Sequence, residues 1–84
     1  MASLGLDLVL RELYDSEINF SIESIYDAGW RVTLGSADLG EVKAQCDFRP
    51  EEFDLVGPWL ASRASEHYPD SQFARRYPSK GLLS

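Results

Sequence analysis

Glu41-Val42-Lys43-Ala44-Gln45-Cys46-Asp47-Phe48 is the stretch whose reading decides the fold. Val42, Ala44, Cys46 and Phe48 alternate with Glu41, Lys43, Gln45 and Asp47. Successive side chains of a strand leave opposite faces, so this period of two predicts a strand with one dry and one wet side. Such a strand belongs in an antiparallel sheet covered on one face only. The four apolar residues are expected to be buried and the four polar ones exposed.

Upstream, the same period recurs twice. Ile18, Phe20 and Ile22 alternate with Asn19, Ser21 and Glu23, and the alternation slips at Ser24-Ile25, which marks a bulge or the end of the pattern. Asp27-Ala28-Gly29 is turn chemistry for a three-residue hairpin loop. Trp30, Val32 and Leu34 then alternate with Arg31 and Thr33, and a glycine-bracketed turn, Gly35 to Gly40, leads into the decisive stretch. The three segments read as a meander. Ahead of them, Leu6, Val9, Leu10 and Leu13 mark one face of a helix over about residues 4–14, with Ser3 as its cap and Asp7 at its positive end. Leu4 and Leu8 lie off that stripe and are expected at the surface.

Downstream, Pro50 suits the first turn of a helix, and Glu51, Glu52 and Asp54 complement its dipole. Phe53, Val56, Leu60 and Ala64 form its apolar stripe. Gly57-Pro58 interrupts it, because Pro58 has no N–H to give the carbonyl of Asp54, so a kink or a restart is expected there. Asp70 or Ser71 caps a last short helix bearing Phe73 and Tyr77, Pro78 ends it, and 79–84 read as a frayed tail. The whole is an α+β two-layer sandwich in the order α-β-β-β-α. It has a three-stranded antiparallel meander with both helices on its dry face. The 84 residues hold one core, so one domain is expected over 1–84, its ordered body spanning about 4–78.

Composition narrows the function classes. One cysteine, Cys46, excludes an internal disulfide and a cysteine-built zinc site. There is no basic region ahead of an apolar run, and no apolar stretch near the ~20 residues a membrane span needs. A cytoplasmic protein with no membrane partner is the expectation. The net charge of −6 is uneven: residues 1–60 carry twelve acidic against four basic side chains, and residues 61–84 carry two against four. An acidic body repels phosphate, so no nucleic-acid partner is expected. Small domains gain stability by association, which makes a homodimer a reasonable expectation.

No candidate chemistry stands out. His67, the single histidine, has only Glu66, Arg63 and Ser71 near it in sequence and reads as a helix-end residue. Cys46 lies in phase with Ala44 and Phe48 and reads as a small core residue. The acidic residues lack metal-ligand order, and the glycines are separate turn glycines. Catalytic groups, metals and cofactors are therefore not expected. Trp30 falls in phase with Val32 and Leu34 and is assigned to the core. Trp59 stands beside the Phe53–Val56–Leu60 stripe, at its rim, where tryptophan is enriched in binding hot spots. The candidate partner-binding residues are Trp59, Arg63, Arg75 and Arg76. Trp59→Ala is expected to weaken association at little cost to the fold.

Two resemblances add to this. The order helix, three strands, helix is similar to the double-stranded-RNA-binding fold, which implies basic residues opening the second helix. Those positions here are Pro50, Glu51, Glu52 and Asp54, of the wrong sign, so that function does not carry over. Asp27-Ala28-Gly29-Trp30-Arg31-Val32, with the turn, strand and acidic helix start after it, resembles HicB-type antitoxin domains over about residues 27–60. The proline- and cysteine-bearing loop of that family is replaced by Gly35–Gly40. The resemblance implies an acidic body that neutralises a basic toxin. The expectation is thus a non-enzymatic protein-interaction or regulatory domain. An acidic inhibitor or antitoxin is its rival, and a small carboxylate-based hydrolase comes third.

Overall fold

A computed structural model describes residues 5–77. Its elements are α1 (Leu6–Asp15), β1 (Phe20–Ile25), β2 (Gly29–Ser36), β3 (Glu41–Phe48), a 3₁₀ helix (Pro50–Leu55), α2 (Val56–His67) and α3 (Gln72–Arg76). The three strands form one antiparallel sheet in the order β1-β2-β3, so the architecture is the expected α-β-β-β-α sandwich. Ser3, Leu4, Pro78 and the 79–84 tail lie outside the described residues.

The helical stripe of α1 buries Val9 and Leu13, and its first residue follows Gly5. Its end is closed by the chain turning left-handed. Glu17 has φ 61, its N–H donates to the Tyr14 carbonyl at 3.0 Å, and the N–H of Ile18 returns to the Leu13 carbonyl at 3.0 Å. This double closure gives the Tyr14 carbonyl its partner and the Leu13 carbonyl a second one besides the Ser16 N–H, and it drops buried Ile18 into the core. A residue with a Cβ holds the place usually given to glycine, a small local cost.

Of the bulge and the end of the pattern expected at Ser24-Ile25, the structure has the end: β1 and β2 pair without a break from Phe20↔Leu34 to Ile25↔Gly29, and β1 stops at Ile25. The irregularity lies between β2 and β3, where Leu34 pairs with Ala44 but Gly35 pairs with Val42, leaving Lys43 as the extra residue. This shifts the phase of β3. Ala44, Cys46 and Phe48 keep the dry side, with Phe48 buried and the other two partly so, whereas Val42 shares the face of Gly35 and is 46% exposed. Glu41, Lys43, Gln45 and Asp47 are exposed as expected. Gly35 is required at the bulge: its φ is 99, and a Cβ would strike the Glu41 carbonyl.

α2 lies across the dry face of β2 and β3, and α1 packs against α2 rather than forming a second cover of equal extent. Small residues on the buried side of α2 (Gly57, Ala61, Ser62, Ala64, Ser65) permit this close stacking, and Val32, Leu34, Val56, Leu60 and Leu13 fill the centre. Of the kink and the restart expected at Gly57-Pro58, the structure has the restart, two residues ahead of Pro58. Pro50–Leu55 is a separate 3₁₀ turn, and α2 restarts at Val56, which places Pro58 in its first turn. There a missing N–H breaks no helical bond. A reciprocal cap starts the 3₁₀ turn: the Arg49 N–H donates to Glu52 Oε1 at 2.9 Å, and the Glu52 N–H to the Arg49 carbonyl at 2.8 Å.

α3 is capped by Ser71, whose Oγ accepts from the Ala74 N–H at 3.0 Å. It is held by buried Phe73, by Ser65 Oγ donating to the Tyr77 carbonyl, and by an ion pair from Arg76 to Glu12 of α1 at 2.7 Å.

Candidate functional site

The open face of the sheet is polar and internally bonded. Ser21, Thr33 and Gln45 lie in one cross-strand row, and Glu23, Arg31 and Asp47 in the next. Gln45 Nε2 donates to Thr33 Oγ1 at 3.0 Å, and Thr33 is buried beneath its neighbours. Arg31 Nε donates to Asp47 Oδ1 at 2.9 Å, with a second bond at 3.3 Å. That hydrogen bond pulls the Asp47 carboxyl below its ordinary value and raises the Arg31 guanidinium. Two donors of this face, Arg31 and Gln45, are thus committed to neighbours on the same face.

A different surface collects at the end of the sheet where the β1–β2 hairpin meets the 3₁₀ turn. The hairpin turns over Tyr26-Asp27-Ala28, with Asp27 at φ 67 and the Ala28 N–H donating to the Ile25 carbonyl at 3.0 Å. Gly29 lets β2 start hard against β3, because a Cβ there would meet the Phe48 carbonyl. An aromatic side chain at a hairpin apex has no sheet face to lie on, and Tyr26 is 97% exposed. Trp30 stacks tilted on Phe53 at 4.7 Å between centroids, and Phe48, the cross-strand partner of Trp30, meets Trp59 edge-on at 5.8 Å. Four aromatic rings therefore run from the surface into the core. Above them the Ser24–Trp30 hairpin and Pro50 line an open hollow of about 390 Å³. Phe53, stacked on Trp30, is 39% exposed, and Leu55, on the same 3₁₀ turn, is 52% exposed.

Carboxylates ring this corner: Asp27 at the apex, with Glu51, Glu52 and Asp54 on the 3₁₀ turn. Arg49 is the local cation, 3.4 Å from Glu51 and 4.0 Å from Glu52. Asp27 and Asp54 have no ion-pair partner among the described residues.

The residues singled out from sequence are distributed differently. Trp59 is partly accessible, as expected, but it packs against the core through Phe48 and is more structural than the rim position implied. Trp30, expected in the core, is half-buried and forms the floor of the corner. Arg63 follows Trp59 by one turn on α2 and pairs with Glu66 at 3.0 Å. Arg75 and Arg76 sit on α3, exposed, with Arg76 committed to Glu12. The four do not converge on one site. His67 has Glu66 at 3.8 Å, and Cys46 is half-buried on the dry side of β3. Among the described residues no group of three His, Cys, Asp or Glu side chains is placed to hold a metal, and no helix is long and apolar enough to cross a membrane.

Tyr26, Phe53 and Leu55 were the residues missed. A turn apex was legible for Tyr26. Phe53 was counted on a 3.6-residue stripe, whereas a 3₁₀ turn repeats every three residues and carries it outward to Trp30. The fold and this surface define a class, an α+β two-layer sandwich with one polar sheet face and one aromatic corner. Compared with protein-family models, with curated proteins and with solved structures, the chain matches none.

Proposed function

We propose that this chain is a non-enzymatic protein-interaction or regulatory domain that docks a protein partner through the Tyr26–Trp30–Phe53–Leu55 corner. One observation supports it above the rest: exposed Tyr26 and half-buried Trp30 line an open hollow, and Phe53, stacked on Trp30, is left exposed with Leu55 on the same 3₁₀ turn. Tyrosine and tryptophan give large contact area at low entropic cost, and they dominate binding hot spots. Of the residues taken from sequence, Trp59 supports the corner from beneath. Arg63, Arg75 and Arg76 belong to other surfaces.

The rival reading, an acidic inhibitor occupying a basic site, draws support from the carboxylates around the same corner. Capture from native lysate with wild-type protein and with Tyr26→Ala/Leu55→Ser tests the proposal. A partner recovered by wild type should be lost from the variant while the melting temperature holds. Equal recovery by both refutes the corner as the docking surface. Loss of the complex on raising salt favours the inhibitor reading.

A further inference from the structure

The geometry points to an arginine-bearing basic segment of a partner protein as the occupant of the aromatic corner. This rests on the docking reading above and adds the chemistry of the ligand.

Three observations combine. The first is ring geometry: Tyr26 and Trp30 both line the hollow, and Trp30 is braced from the side by Phe53 at 4.7 Å, so the indole is held in place. A planar cation gains most over a fixed indole or phenol face, and holding the ring beforehand reduces the ordering cost of binding. The second is charge. Asp27 lines the same hollow and Asp54 follows Phe53, and neither is neutralised by a cation among the described residues. The local cation, Arg49, is taken up by Glu51 and Glu52. The third is the absence of competing polarity. The hollow is floored by apolar surface, whereas on the polar face of the sheet Arg31 and Gln45 are bonded to Asp47 and Thr33. A neutral apolar peptide would leave Asp27 beside a dewetted floor, an uncompensated cost. A guanidinium stacks on the rings and donates to the carboxylate at once. Its weak hydration makes it better suited than a lysine ammonium, which holds its water.

The test uses ¹⁵N-labelled protein titrated with hexa-arginine, hexa-lysine and a neutral hexapeptide of serine and leucine, followed by amide and indole N–H shifts. The expected result is hexa-arginine binding that moves Tyr26–Trp30, Phe53–Leu55 and the Trp30 indole N–H, more tightly than hexa-lysine, and weaker at high salt. Tyr26→Ala should weaken it about 3- to 30-fold, and Asp27→Asn should weaken it while leaving the spectrum of the free protein otherwise unchanged. Shifts spread over the acidic body, with affinity indifferent to Tyr26→Ala, overturn the inference, as does hexa-lysine binding as tightly as hexa-arginine. Binding of the neutral peptide alone at the corner overturns the cationic occupant but leaves the docking surface standing. No shift at the corner with any of the three overturns the occupant, and the lysate comparison of wild type with Tyr26→Ala/Leu55→Ser then decides the docking reading separately.

Discussion

Replacing Trp59 and Tyr26 separately by alanine distinguishes the support of the corner from its surface. Trp59 packs against the core and edge-on to Phe48, so its truncation removes most of an indole that buries roughly 150–250 Å² when covered. At about 25 cal/mol per Å², with an allowance for the exposed rim, the loss is about 3 kcal/mol. Alanine is the better helix former by about 0.5 kcal/mol, which leaves a net cost of about 2.5 kcal/mol. For a domain of 84 residues the whole stability is about 4–13 kcal/mol. The melting temperature should therefore fall by about 10–20 °C. Tyr26 is 97% exposed, and its removal should cost no more than about 0.5 kcal/mol, a shift within about 2–4 °C. Thermal melts followed by far-UV circular dichroism measure both. If Trp59→Ala melts with wild type, the indole is not structural and the reasoning fails. If Tyr26→Ala melts as low as Trp59→Ala, the apex belongs to the fold and is no free surface.

Two further outcomes follow from local geometry. Glu17→Gly should stabilise the domain by up to about 1 kcal/mol, because glycine takes the left-handed φ of 61 without a Cβ penalty; an unchanged or lower denaturation midpoint would contradict the closure described for α1. For Asp47, the hydrogen bond from Arg31 depresses the folded carboxyl below its ordinary value of 3.8, so the unfolded chain binds that proton more readily. The contribution is present above the ordinary value and is lost as pH falls through the lower folded value. Arg31→Gln should move the Asp47 carboxyl carbon titration upward and remove that acid-side loss; an unmoved titration would show the pair open in solution.

How much was legible depends on the range of the interactions involved. Alternation in 18–34 and 41–48 and the heptad-like stripe of α1 are local consequences of backbone geometry, and they identified three strands, their order and the helix before them. Periodicity also placed Val32, Leu34, Phe48 and Leu60 inside, where they are buried. A cap at Asp70 or Ser71, of which the structure uses Ser71, and the acidic start at Pro50 follow from the chemistry of unpaired N–H groups at helix ends. None of these needed knowledge of what packs against what.

Other features arise only once the elements meet. The bulge at Lys43, which turns Val42 outward, depends on how β2 twists past β3, and in sequence Val42 looks no different from Ala44. Whether Pro58 kinks a helix or opens one depends on where the helix begins, and the 3₁₀ turn packing on β2 and β3 decides that. The arginines named from sequence were separated because Arg63 and Arg76 found carboxylates on α2 and α1. The aromatic corner is assembled from residues 26, 30 and 53, on a turn, a strand and a 3₁₀ helix. A period within one segment reports which way a side chain points, but the shared hollow exists because the sheet ends there and no helix among the described residues lines it. The sequence by itself determined the layers and the dry face, through short-range stereochemistry and hydrophobic alternation. Which apolar side chains stayed uncovered was decided by tertiary packing, because exposure depends on the reach of a neighbouring element and not on the residue itself.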